Sequence, residues 1–395
     1  MKEVTVGLIP APELPEVIAD NLADRLPRLL KKFIEADIDW KIEVVVDPLT
    51  GAAEHVSEIL EEAKRLKERH QWTYAICLTD LPIYSDKDLV LADANAIAGV
   101  AQISLPAFGA MPMKKRVKRT IIQMVSELYY GGLEENPMKM AQRGIGPLAE
   151  QKKRGLFQVL MGIFYFSAIK RVAPPEELIN VGVRFIIIPK LNGKLRVLMG
   201  MTYANRPWKI MPSFKSVVAI AFATGAYGLI FPTLWKLSVS YSLGRFIGLN
   251  AAAVLSMIIW IIFSHNLWEP VKDKSRKRLY WLYNTVTIAT LGIAVLLYYA
   301  MLFCLFLVAV SLYVPPSLYG SETGIGDNID IWNYLKLAWL VTSVATIAGA
   351  IGAGLENGEL VRNVTYGYRQ QCRYERMERE AKEREEQEER WAKEP

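Results

Sequence analysis

Four aspartates fall close together in the stretch DLPIYSDKDLVLADANAI: Asp80, Asp86, Asp88 and Asp93. Hard oxygen donors of this kind hold divalent cations, and a bound cation polarises a substrate or activates water. Asp80 directly follows YAICLT (74–79), a run that reads as a strand. In open α/β sheets the carboxyl edge of such strands is where ligands bind. Aspartates also make turns and caps. With no second metal motif nearby, turn chemistry is the plainer reading and a cation site is the alternative.

A second stretch with chemical content is VSELYYGG (125–132), where Glu127 sits in an amphipathic helical pattern. A Glu flanked by two imidazoles at this spacing would activate a zinc-bound water. Here the flanking places hold Ser126 and Tyr130. The chain has three histidines, His55, His70 and His265, and none lies near Glu127 in sequence. A catalytic metal is therefore not expected, and Glu127 is expected to be an exposed helix residue. Cys77, Cys304 and Cys372 are too scattered for a disulfide framework or a CxxC site. No G-x-G-x-x-G follows the first strand and no GxxxxGK[ST] occurs, so nucleotide binding lacks local support and no cofactor is expected. The net charge of +6 is modest, and no basic patch is interleaved with aromatics, which speaks against nucleic acid.

The elements that would position these residues alternate. EVTVGLI (3–9), WKIEVVV (40–46), YAICLT and AGVAQISL (98–105) read as strands. Helical patterns run from about Leu14 to Ala36, with a kink at Pro27, and over 52–69 and 114–130. The last buries Val117, Ile121, Met124, Val125 and Leu128 on one face. Alternation of this kind predicts an α/β domain with a mostly parallel sheet over residues 1–135, with 80–97 as an irregular connection.

The order LTDLPIY (78–84), GVAQISL (99–105), then the helix ending VSELYYGG resembles the archaemetzincin branch of metzincin-like zinc proteases. The resemblance implies a metzincin-like domain whose helix carries HExxHxxGxxH. Placed residue by residue, the ligand positions fall on Ser126, Tyr130 and Asn136, the family's glycine on Leu133, and only the Glu position is kept, at Glu127. The family's later cysteine pairs are missing. What the resemblance implies is thus a protease-like scaffold without its metal, one that binds a protein or peptide along its edge strand.

About half of the chain is hydrophobic, and four uncharged stretches follow residue 215: 217–234, 246–263, 285–314 and 337–355. Each reaches the roughly 18 residues that a bilayer core asks of a helix. They predict a transmembrane domain of four spans over 216–355 and a lipid bilayer as partner. Lys272, Lys274, Arg276, Lys277 and Arg278 crowd the second connection, whereas 315–333 has no Lys or Arg. By the positive-inside rule both termini face the cytoplasm of a cell membrane. The N-terminal stretch lacks an apolar signal core, which agrees. Lys236 and Arg245 beside the first outer loop run against this orientation.

Residues 136–215 read as an interfacial linker. GLFQVLMGIFYFSAI (155–169) is short for a span and flanked by positive charge. Asn192-Gly193 between apolar runs predicts a hairpin, with a helix as the alternative for the second run. Arg206, Trp208 and Lys209 suit a headgroup zone. The string LRVLMGMTYANRPW is similar to a segment of a widespread, uncharacterised bacterial membrane-protein family, which implies no activity. The tail 356–395 is charged on every face and reads as a solvated helix or a disordered extension.

These features predict a membrane-anchored binding or scaffolding protein without catalysis, with partners meeting the α/β domain or the tail. Small residues four apart, Gly244 and Gly248, Gly349 and Ala353, Ala350 and Gly354, suit close helix packing within the chain or a homo-oligomer. Two alternatives stand beside it. One is a membrane-tethered, metal-dependent hydrolase using Asp80–Asp93. The other is a small transporter lined by Thr224, Tyr227, Asn250 and Ser256.

Overall fold

The computed structural model describes residues 2–51, 56–85, 88–110, 112–131, 168–172, 182–188, 190–271, 277–353, 362 and 365–393. The chain divides into two compact units, one of Met1–Asn205 with Arg369–Pro395 and the other of Arg206–Tyr368.

The first unit is built on a mixed sheet in the order β2-β1-β3-β6-β5-β8-β7, with β4 paired to β5. The parallel part is β1 (Lys2–Pro10), β2 (Ile38–Val44), β3 (Tyr74–Thr79) and β6 (Val100–Ser104). These strands coincide with the apolar runs visible in the sequence. Val6, Leu8, Ile76 and Leu78 are fully inaccessible, as expected for strands covered on both faces. From β1 the chain passes through α1 (Leu14–Ala23) and α2 (Leu26–Phe33) to β2 on one side. It then passes through α3 (Val56–Arg69) to β3 on the other side of β1. That reversal opens a crevice at the carboxyl ends of β1 and β3.

Pro27 does not kink one long helix. It stands in the first turn of α2, where a missing N–H has no intrahelical partner to lose, and the chain is broken before it at Asp24 and Arg25. Gly7 in β1 is required by packing: a Cβ there would lie 1.9 Å from the ring of Trp72.

The expected mostly parallel sheet is corrected by its second half. The supposed irregular connection holds β4 (Ile83–Ser85) and β5 (Asp88–Asn95), and β5 runs antiparallel to β6. Its sequence DLVLADAN hides the strand, because Ala, Asp and Asn have low strand propensity; burial between two neighbours overrides that. β5 pairs antiparallel with β8 (Val183–Ile188), and β8 with β7 (Ala168–Val172). The sheet therefore continues past the boundary drawn at residue 135.

α4 (Met113–Tyr129) packs on β6, β5 and β3. After β8 comes α5 (Lys190–Ala204), not a hairpin at Asn192-Gly193. Val197, Met201 and Ala204 recur at helical spacing on its buried side. Gly200 lets it approach the short 3-10 helix Leu105–Phe108, where a Cβ would sit 2.3 Å from the Pro106 carbonyl oxygen. The helix offered as the alternative for the second run is the one that forms, and it takes in the turn dipeptide.

The second unit is helical. A 3-10 segment (Pro207–Phe214) runs into α6 (Lys215–Gly228), followed by α7 (Pro232–Ser240), α8 (Leu243–Ser264), α9 (Lys277–Tyr313), α10 (Pro316–Thr323) and α11 (Ile331–Ala353). Among the described residues three helices are long and apolar enough to cross a membrane: Pro207–Gly228, Leu243–Ser264 and Lys277–Tyr313. Four were expected. The first candidate lies upstream of its predicted place, because Pro232 starts a new helix after Gly228. The fourth stretch falls in α11 as far as Ala353, its last two residues lying outside the described ones; early turns of α11 carry Asn333 and Lys336, and its buried side carries Thr342, Ser343 and Thr346.

α11 packs against α6, α7, α8 and α9, with Ala338, Val341 and Ala345 meeting Ala221, Met257, Leu291 and Phe306 in one apolar core. Outward-facing Ile259, Phe263, Leu296, Val308 and Leu312 are exposed, a surface compatible with lipid. Gly349 packs within the unit, where a Cβ would lie 3.0 Å from that of Ala221; Gly244 and Gly248 meet nothing within 4 Å. Lys236, one of the two residues at odds with the charge rule, pairs with Glu322 at 3.1 Å. Of the proposed transporter stripe, Thr224 and Ser256 donate to carbonyls of their own helices, and Tyr227 is exposed against Phe231.

Before the chain re-enters the first unit, α12 (Tyr366–Lys393) begins here. Tyr366 stacks on Tyr283, and the Gly367 N–H donates to Glu269 at 2.8 Å.

Candidate functional site

Within the first unit, the crevice beside β1 holds Asp80. The loop after β3 is pinned from both sides. The Leu81 N–H donates to the Thr79 hydroxyl at 3.1 Å, and the Ser104 hydroxyl at the end of β6 donates to the Leu81 carbonyl at 2.7 Å. Asp80 is thereby fixed at the strand end with 1% of its surface exposed.

Two arginines of α12 fill the site. Arg373 forks onto the carboxylate, Nη1 to Oδ1 at 2.8 Å and Nη2 to Oδ2 at 3.0 Å. Arg369 Nη1 lies 3.2 Å from Asp80 Oδ2 and 2.8 Å from Glu13 Oε2, while its Nη2 donates to Asn205 Oδ1 at 2.5 Å. Both arginines are buried. Glu13 stands between β1 and α1 with φ +79°, a left-handed conformation a non-glycine residue adopts at a cost of roughly 1–3 kcal/mol. Burial by itself pushes the Asp80 carboxyl up; the guanidinium of Arg373, then that of Arg369, outweighs it and holds Asp80 below the usual carboxylate range.

Asp93 of the same stretch takes partners other than those of Asp80. Asp93 lies within β5 and takes Arg184 in a buried fork, Nε to Oδ1 at 2.7 Å and Nη2 to Oδ2 at 3.1 Å. Gln102 adds a bond at 3.3 Å. With one guanidinium instead of two, burial prevails and the Asp93 pKa is raised. Asp88 opens β5 opposite Ser85, and Asp86 lies outside the described residues. Among the described residues no group of three or more His, Cys, Asp or Glu is placed to hold a metal ion.

Glu127 is corrected from exposed to buried, at 1% exposure. It accepts from Gln123 at 3.0 Å and from Arg171 of β7 at 3.2 Å. Burial raises its pKa against the pull of Arg171 and Gln123. Ser126 is buried beside it, while Tyr130 donates to the Ile34 carbonyl at 3.1 Å. Asn136 lies outside the described residues. A carboxylate already neutralised by a guanidinium, between a hydroxymethyl and a phenol, does not fit a zinc centre. Cys77 is equally unsuited to chemistry: burial pushes its thiol up, although Thr50 donates to the sulfur.

Of the expected interface anchors, Trp208 and Lys209 are exposed, and Arg206 is half-buried with φ +51°. Glu13, Asn205, Arg369 and Arg373 escaped sequence reasoning. The one signal for the last two is their i, i+4 spacing, submerged in a run of charges. Compared with known protein families, curated proteins and solved structures, the chain matches none.

Proposed function

We propose that the chain is a multi-pass protein of the cell membrane, with both termini cytoplasmic, that binds or scaffolds other proteins and does not catalyse. One observation carries this reading. The carboxylate at the ligand-binding edge of the sheet is engaged by two guanidinium groups presented on a helix, which is recognition chemistry. The three long apolar helices support attachment to a bilayer. Pairing of Glu127 with Arg171 supports a protease-like scaffold whose hydrolytic role is gone. Asp80 and Asp93, each held by different arginines, give a hydrolase no shared cation site.

Alkaline carbonate treatment of membranes from cells expressing the full chain tests attachment: the protein stays in the pellet. Recovery in the supernatant would refute attachment. Equilibrium dialysis against Mg²⁺, Mn²⁺ and Zn²⁺ tests the non-catalytic part. Stoichiometric metal lost on Asp86→Ala/Asp88→Ala would refute it in favour of the hydrolase.

A further inference from the structure

The occupant of the β1/β3 crevice is itself informative. It is not a loop closing on its neighbour but a helix arriving from 293 residues away in sequence. Arg369 and Arg373 in its first turns are buried, whereas Glu375, Arg379 and Lys382 further along are exposed. In sequence the helix beyond Arg373 is a run of charged residues, with no apolar repeat at helical spacing.

On the receptor side Asp80 stands at a strand end beside Leu81, whose N–H and carbonyl are bonded by two buried hydroxyls, and Glu13 stands in a strained turn. Buried ion groups of this sort contribute little net stability against hydrophobic packing of the same volume, and their best-attested use is in register and switching. They do specify a ligand: a bidentate fork from one arginine and a bridging guanidinium from another, one helical turn away.

We propose that this crevice is a receptor for a helix bearing two arginines four residues apart, and that α12 is a cis occupant displaced by such a helix from a partner protein. The proposal rests on the binding reading above and names its partner class. Asn205 is the last residue of the first unit before the chain leaves it, and Arg369 is the first after the chain returns. Exchange at the crevice breaks the bond between them. The covalent chain keeps the displaced tail near the crevice, which favours its return when the partner leaves.

The test uses the full chain in nanodiscs and a fluorescent synthetic peptide of residues 366–393. Wild type, with its own tail at high effective concentration, takes up the peptide weakly. The Arg369→Gln/Arg373→Gln variant binds one peptide per chain at least about tenfold more tightly. Adding Asp80→Asn abolishes the gain, and a peptide with both arginines replaced does not bind. Uptake by the folded double variant no tighter than wild type, or uptake that survives Asp80→Asn, overturns the proposal.

Hydrogen exchange on unmodified protein decides the matter even if the double variant misfolds. Amides of 369–376 are expected to open with at least about tenfold less protection than those of β3. Equal protection would make the tail a permanent part of the core. Carbonate extraction and metal dialysis leave this exchange untouched, so a failure of either reading is told apart from a failure of the exchange.

Discussion

Replacing Asp80 by Asn, alone and together with Arg373→Gln, measures the ion pair at the centre of the site. Arg373 gives both terminal nitrogens to Asp80, at 2.8 and 3.0 Å, with the side chains 6% and 1% exposed. Solvent screening is therefore small. Breaking a buried pair typically costs about 3–5 kcal/mol. Two features lower that figure here. Asp80 keeps Arg369 at 3.2 Å when Arg373 is lost, and Arg373 can turn into water by undocking one end of a helix. We therefore expect each single variant to weaken docking of α12 by about 2–3 kcal/mol, and a coupling of roughly 2 kcal/mol. That coupling corresponds to about 30-fold in the opening equilibrium. Hydrogen exchange of amides 369–376 reads it directly, with the exposed Lys382→Gln as a control expected within about 0.5 kcal/mol of wild type. Additive single effects, with coupling below about 0.5 kcal/mol, would refute the assignment of docking to this pair. Unchanged protection of α12 in Asp80→Asn would do the same.

Acidification should release the tail. The folded-state pKa of Asp80 is lowered, so its contribution is fully present above the ordinary Asp value of about 3.9 and is lost as pH falls through the lower folded value. Tail protection followed from pH 7 downward should hold to about pH 4 and fall below it; a loss centred near pH 6 would point to another group. Gly7→Ala should destabilise the first unit by roughly 1–3 kcal/mol or more, since the new methyl meets the Trp72 ring, and a thermal melt would show it. Glu127→Gln removes the charge facing Arg171 in a buried setting and should cost about 1–3 kcal/mol in the same melt. A stability equal to wild type would restore the exposed-helix assignment for Glu127.

Strands β1, β2, β3 and β6 and helix α4 are legible in the sequence because each carries its signal locally, as a continuous apolar run or an amphipathic repeat. The helices of the second unit are legible for the same reason, although their breaks are not: the end of α6 depends on Pro232, and α11 mixes apolar with hydroxyl-bearing residues. Where sequence reasoning fails, a distant partner decides. DLVLADAN becomes a central strand because β6 and β8 flank it. KLNGKLRVLMGMTYA takes the helix that its second run offered as an alternative, and Gly200 lets that helix seat against Pro106. α4 buries a polar face, Thr120, Gln123, Ser126 and Glu127, as well as its apolar one.

The candidate site shows the same division more sharply. Residue order by itself placed Asp80 at a strand's carboxyl end, and so at the edge where ligands meet such sheets. It could not say what Asp80 meets, because Arg369 and Arg373 arrive on a distant helix, and Glu13 and Asn205, which hold Arg369, come from two further parts of the chain. A charge run in sequence carries no mark of which arginines leave water. Desolvation at one fixed carboxylate selects Arg369 and Arg373 from that run, and only the folded arrangement of strand ends and helix makes that selection.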